Sequence, residues 1–229
     1  MKLIKERVAA LGAIVAGFAD LSRLPERERA GFPRAVALAA AVEARAVAGA
    51  RERPTEAFVQ ANRDAAALLR EGEKVVVARL TELGWRAVSD LPKDPATHAP
   101  LLPQKTAATL AGLGWVGRSG LLATERFGTA VRLFVVLTDA PLPPDAPVTA
   151  SRCGSCARCR DACPAGAISG RIWSPEMDPA GFFNAGACSA QRNCAAETAG
   201  LSGKHCGICI NACPWTRRYL RAAGSADDE

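Results

Sequence analysis

Nine cysteines fall between positions 153 and 213, and none occurs earlier in a chain of 229 residues. Thiols crowded in this way are expected as metal ligands. A framework of secreted disulfides would not place cysteines only two residues apart, as at Cys153 and Cys156 and again at Cys206 and Cys209. The remaining residues suffice for a core without staples, since 49% of the chain is hydrophobic and 23% charged. An ordinary folded protein of the reducing cytoplasm is therefore expected, with its thiols reserved for chemistry.

The stretch CGSCARCRDACP sets Cys153, Cys156, Cys159 and Cys163 at the spacing C-x2-C-x2-C-x3-C-P. This is the run that bacterial ferredoxins use for 4Fe-4S clusters: three neighbouring thiolates bind one cube and the fourth, beside proline, serves the other. One zinc ion takes four ligands and would leave the other cysteines unexplained. The second stretch, CGICINACP, supplies Cys206, Cys209 and Cys213 before Pro214, with Ala212 where a complete run would have another cysteine. If Cys213 completes the cube of Cys153, Cys156 and Cys159, the second cube has Cys163, Cys206 and Cys209 and needs one more thiolate. Cys188 and Cys194 both qualify, and spacing does not choose between them. His205, beside Cys206, is read as a neighbour of a ligand rather than a ligand.

Before the cysteines, helix and strand patterns alternate. A helix through about Leu11 leads to a strand at 13–19, a second strand at 35–42, and a helix over 54–83 opened by Pro54 and stopped by Gly84. A short strand at 85–88, a helix at 105–113 and strands at 121–124 and 130–138 around the turn ERFG complete an α/β or α+β pattern. The segment APLPPDAPVTAS is expected to be a stiff linker. The domains expected are therefore an α/β domain over 1–140, a linker over 141–150, a cluster domain over 151–216 and a flexible tail over 217–229. No apolar run approaches the ~20 residues that span a bilayer. Gly12, Gly17 and Glu6 spoil the N-terminal stretch as a secretory signal.

Between the last helix and the next strand lies GLGWVGRSG. Gly112, Gly114, Gly117 and Gly120 would let backbone approach a ligand, and Arg118 offers a cation to an anionic group; tight turns alone would also account for the glycines. Neither the dinucleotide fingerprint nor the phosphate loop has this spacing, and no catalytic triad or zinc-protease helix is present. Lys and Arg number 29 against 23 Asp and Glu, a surplus that taken alone suggests nucleic acid. Each cube with four thiolates carries roughly −2, so two cubes lower the formal +6 to about +2. With Arg152, Arg158, Arg160 and Lys204 beside the ligands in sequence, the surplus reads as counter-charge to the clusters.

The segment ATLAGLGWVGRSGLLATERFGTAVRLFVVLTDAPL, followed by CGSCARCRDACPAGAI and CGICINACPWT, resembles the epoxyqueuosine reductases and their relatives the reductive dehalogenases, most closely their short double-cluster 4Fe-4S members. The resemblance runs from about Gly17 to Tyr219. It implies a nitroreductase-like, cobalamin-binding α/β domain followed by a ferredoxin-like domain holding two 4Fe-4S clusters. It also implies that the lone cysteine of GACSAQR, Cys188, completes the second cluster and leaves Cys194 spare. Gly114, Trp115, Gly117 and Arg118 would lie at the corrinoid. The family's proton-donating aspartate has no counterpart between Ala96 and Trp115; its place falls near His98, the candidate proton donor here.

The cysteine spacing and the resemblance together point to an iron-sulfur oxidoreductase that receives electrons from a ferredoxin or flavodoxin and delivers them singly to a corrinoid or similar acceptor, acting on a small molecule or a partner enzyme. A non-enzymatic electron carrier or reductive activator is the first alternative, and a tRNA epoxyqueuosine reductase the second. Full-length epoxyqueuosine reductases continue into a helical repeat domain that helps hold tRNA, whereas this chain ends at Glu229, so tRNA is not expected among its partners.

Overall fold

The computed structural model describes residues 2–96, 98, 100–177, 181–202 and 205–225. Its first half runs α1 (Lys2–Ala9), β1 (Ile14–Asp20), α2 (Glu26–Arg29), β2 (Arg34–Ala41), α3 (Ala44–Gly49), α4 (Glu56–Glu82), β3 (Ala87–Val88) and α5 (Gln104–Leu110). The remainder runs β4 (Trp115–Val116), β5 (Leu122–Ala123), β6 (Val131–Thr138), α6 (Arg158–Asp161), α7 (Ala185–Thr198), α8 (Ile208–Ala212) and α9 (Pro214–Ala222). This is a mixed α/β protein. Two compact units emerge, and neither is one stretch of chain. The first joins Met1–Ala40, Ala66–Gly114 and Arg132–Thr149; the second joins Ala41–Ala65, Trp115–Val131 and Ala150–Glu229.

The first unit is built on a four-stranded sheet in the order β1-β2-β6-β3. β1 and β2 pair antiparallel from Ile14 opposite Ala40 to Asp20 opposite Arg34. Ala35 through Ala40 are fully buried, so this continuous apolar run is a strand covered on both faces. α1 packs on β1 through Ile4 and Val8, one helical turn apart and fully buried. Gly17 lies where α5 ends: a Cβ there would collide with the carbonyl oxygen of Ala111. Gly84, at φ +81°, stops α4, and the amide of Trp85 closes back on the Leu80 carbonyl at 3.0 Å.

The proline-rich segment expected as a linker is bound along its length. Asp145 accepts from Lys5 Nζ at 2.6 Å and from the Phe18 amide at 2.8 Å, and its own amide donates to the Phe18 carbonyl at 2.9 Å. The Val148 amide donates to Thr109 at 2.9 Å. Prolines without N–H groups keep the strap extended, and the residues between them supply its hydrogen bonds.

The second unit is assembled from short helices. Glu43 caps α3, its carboxylate accepting from the amides of Arg45 and Ala46. Asn211, buried on α8, donates its amide to the carbonyls of Val47 and Ala48. Tyr219 on α9 donates its hydroxyl to the Val42 carbonyl at 3.0 Å and meets Phe127 edge to face at 5.5 Å. Regular helix thus runs to Ala222, into the stretch expected as a tail, because Pro214 opens α9 and Leu220 is buried. The strands expected around ERFG enter different sheets. β5 turns back to pair with β4, Trp115 opposite Ala123, while Thr124 and Gly128 bridge across the turn and β6 joins the four-stranded sheet.

Candidate metal centre

Two short helices carry the cysteine runs in the same way. Cys159 lies on α6 and Cys163 four residues later, just beyond its end; Cys209 lies on α8 and Cys213 four residues later, at its C-cap. Proline follows each second thiol, at Pro164 and Pro214, and the latter begins α9. α6 and α8 pack against one another. Gly154, at φ +54°, shapes the turn in which the Cys156 amide donates to the Cys153 carbonyl at 3.1 Å. Cys188 sits in the first turn of α7, whose N-cap Asn184 accepts from the Ala187 amide at 2.9 Å.

The thiols surround two cavities. A first, of about 140 Å³, is lined by Cys153, Cys156, Cys159 and Cys213, together with Gly117, Arg118, Ser119, Thr129 and Trp215. A second, of about 40 Å³, is lined by Cys163, Cys188, Cys206 and Cys209 and walled by Pro164, Ala167, Ile168, Phe183 and Ile208. Cys194 lines neither and is exposed on α7. All nine thiols are free of disulfides.

Burial raises three of these thiols, Cys159, Cys188 and Cys209. It pushes Cys159 up to about 11, with the neighbouring Cys153, Cys213 and Cys156 adding to the effect. Burial likewise pushes Cys209 up to about 12, reinforced by Cys206, Cys188, Cys159 and Cys163. Cys188 is raised by its burial against the opposing influence of Arg192. Without metal these groups hold their protons at neutral pH, and metal must displace them. Among the described residues no group of three or more His, Cys, Asp or Glu side chains could hold a single metal ion. Four thiols around a cavity suit a polynuclear cluster instead, and Arg118, which lines the first cavity, has a buried Nε without a hydrogen-bond partner.

Of the residues expected at a corrinoid, Gly117 and Arg118 line the first cavity. The backbone of Gly117 runs so near Cys153 that a Cβ would lie 3.6 Å from its sulfur. Gly114 and Trp115 do not line it; Trp115 is fully buried and meets Trp215 edge to face. His98 belongs to the first unit, exposed, at φ +56°, with its amide donating to the Asp94 carbonyl at 2.8 Å. His205 meets Phe58 edge to face at 6.1 Å. Of the cations expected to balance the clusters, Arg152 pairs with Glu125 and Arg160 with Asp161, while Lys204 lies outside the described residues.

Sequence reasoning passes over Trp215, Thr129, Thr216 and Asn211. Trp215 directly follows Cys213 and Pro214, a placement that singles it out once the ligands are assigned. Thr129 meets Thr216 across 87 positions and Asn211 meets Val47 across 164, contacts that no local pattern signals.

Residues 152–216 match the 4Fe-4S double cluster binding domain family. An epoxyqueuosine reductase of Synechococcus sp. (strain RCC307) is 32% identical over 171 residues, 69% of this chain and 49% of that protein. The chain spans about half the length of such curated relatives. Among solved structures, an epoxyqueuosine reductase with an epoxyqueuosine-modified tRNA-Tyr stem loop matches with a TM-score of 0.63 at 20% identity, covering 94% of this chain and 65% of that one. A reductive dehalogenase whose structure suggests a mechanism for B12-dependent dehalogenation matches with a TM-score of 0.67 at 23% identity, covering 96% and 33%. The expectation that tRNA is no partner finds no support in these likenesses. Among the described residues no helix is long and apolar enough to cross a membrane. Residues 152–216 thus form a 4Fe-4S double cluster binding domain, in a chain similar in sequence to epoxyqueuosine reductases and reductive dehalogenases.

Proposed function

We propose that this chain is an iron-sulfur oxidoreductase that relays single electrons through two 4Fe-4S clusters to a corrinoid or similar acceptor. Cys153, Cys156, Cys159 and Cys213 hold one cluster, and Cys163, Cys188, Cys206 and Cys209 hold the other. The observation that carries this reading is the division of eight thiols into two cavities of four, with Cys194 outside both. When bound, the clusters supply one-electron chemistry; the chain's own residues provide thiolates, exclude water and set the surrounding charge.

The finer parts of the reading are a nitroreductase-like α/β domain, a ferredoxin-like cluster domain, and a cytoplasmic protein reduced by a ferredoxin or flavodoxin. Nine free thiols accord with a reducing compartment. Gly114, Trp115, Gly117 and Arg118 are the residues proposed beside the corrinoid, with His98 as proton donor. Anaerobic titration with cobalamin tests the acceptor: a change in the corrinoid's visible spectrum at tens of micromolar protein or below supports it, and an unchanged spectrum counts against it. Reduction of epoxyqueuosine in tRNA is a second reading, favoured by the solved relative bound to a tRNA stem loop. Binding of such a stem loop that weakens steeply with added salt would support that reading.

A further inference from the structure

The two cavities are chemically unequal, and the inequality rests on Arg118. Its Nη2 donates to the Gly154 carbonyl at 2.7 Å, in the turn between Cys153 and Cys156, which fixes the guanidinium beside the first set of thiols. Its Nε is buried without a hydrogen-bond partner while the residue lines that cavity. The hydroxyl-bearing Ser119 and Thr129 line it too. Around the second cavity the wall is Pro164, Ala165, Ala167, Ile168, Phe183 and Ile208, with Gln191 the one polar side chain besides the thiols, and no charged one, among the described residues. Arg192 influences Cys188, but it is exposed, where water screens its charge. Arg152, beside Cys153, is engaged by Glu125. Among the described residues, the cation that lines one cavity and not the other is therefore Arg118, half-buried with its Nε enclosed.

We infer that Arg118 holds the cluster of the first cavity at a higher reduction potential than the cluster of the second. This rests on the reading that both cavities carry 4Fe-4S clusters. Each takes up one electron, its core passing from 2+ to 1+ with no bond made or broken, so reduction adds negative charge. A fixed cation and N–H donors stabilise that charge, and an apolar wall without them opposes it. Electrons then come to rest beside Arg118, and the second cavity is the point of entry.

An anaerobic redox titration of the full chain, followed by electron paramagnetic resonance with dithionite as reductant, tests this. The wild type is expected to reduce in two separate one-electron stages. Arg118→Gln should make the earlier stage at least tenfold less favourable, about 59 mV lower for one electron, and leave the later one in place. Arg118→Lys should keep most of the separation. Cys188→Ala, which leaves the first cavity's thiols complete, should retain the higher-potential signal. A shift confined to the later stage, no shift in Arg118→Gln, or loss of the higher-potential signal in Cys188→Ala overturns the inference. Iron counts separate this failure from that of the underlying reading: eight irons with the wrong order of potentials refute only the role of Arg118, whereas absence of two clusters refutes both.

Discussion

Trp115 and Trp215 meet edge to face with ring centroids 4.8 Å apart, and Trp215 lines the first cavity while Trp115 is fully buried. Arg218 lies 4.5 Å over the Trp215 ring and Arg152 lies 5.4 Å from that of Trp115. Aromatic edges and cations thus back one wall of the site, an arrangement that favours a single ring geometry. Cluster assembly should quench the fluorescence of this pair. Trp215→Phe keeps a ring at the cavity and should give a smaller fractional quench than the wild type; an unchanged fraction would place the emitting residues elsewhere.

Replacing Cys188 with Ala should remove about four irons per chain, one cluster's share. The same change at Cys194, exposed and outside both cavities, should leave iron content unaltered. Colorimetric iron and sulfide assays on anaerobically purified variants decide the matter, and equal losses would contradict the ligand assignment.

Thr216 ties the cluster helices to the turn before β6: its Oγ1 accepts from the Thr129 amide at 3.0 Å and hydrogen-bonds the Thr129 hydroxyl at 3.0 Å, all buried. Thr216→Val preserves shape but strands the Thr129 groups, at a cost of about 1–3 kcal/mol. Thr216→Ser should recover most of it. Chemical denaturation of the metal-free protein measures both, and equal stability of the Val variant and wild type would show that these hydrogen bonds contribute nothing net.

The raised thiols predict a pH dependence with a definite sign. Cys159 at about 11 and Cys209 at about 12 retain protons in the folded chain that unfolded cysteines, near 9.0, give up. Their contribution to the stability of the metal-free protein is complete below about pH 9 and declines as pH rises toward 11–12. Once clusters replace the protons, that alkaline decline should disappear. Thermal unfolding between pH 8 and 11, before and after cluster reconstitution, tests this; an alkaline gain in the metal-free form would contradict it.

The cysteine arithmetic is legible in the sequence because ligand spacing is short-range, and four-residue separations carry over directly into α6 and α8. Strongly periodic elements such as α4 are legible for the same reason: its buried Phe58, Ala61, Ala65, Leu69, Val76 and Leu80 recur at helical intervals. α7 is not. Among its described residues only Ala196 is buried, so it has no apolar stripe to read, although it carries Cys188. Nor does the sequence disclose that 41–65 and 115–131 join the unit containing 150–229. That association depends on long-range side-chain-to-backbone contacts such as Tyr219 to Val42, made by residues that look unremarkable locally. Arg118 is recognisable as a cation for an anionic group, but its place beside Cys153 and Cys156 is apparent only in three dimensions.

The central claim is that the thiols hold two four-iron clusters. Anaerobic purification followed by iron, sulfide and zinc counts, with low-temperature electron paramagnetic resonance of the reduced protein, tests it most directly. The account predicts about eight irons and eight sulfides per chain and the signals of two interacting reduced cubes. Stoichiometric zinc, or only four irons in fully folded protein after reconstitution, would contradict it.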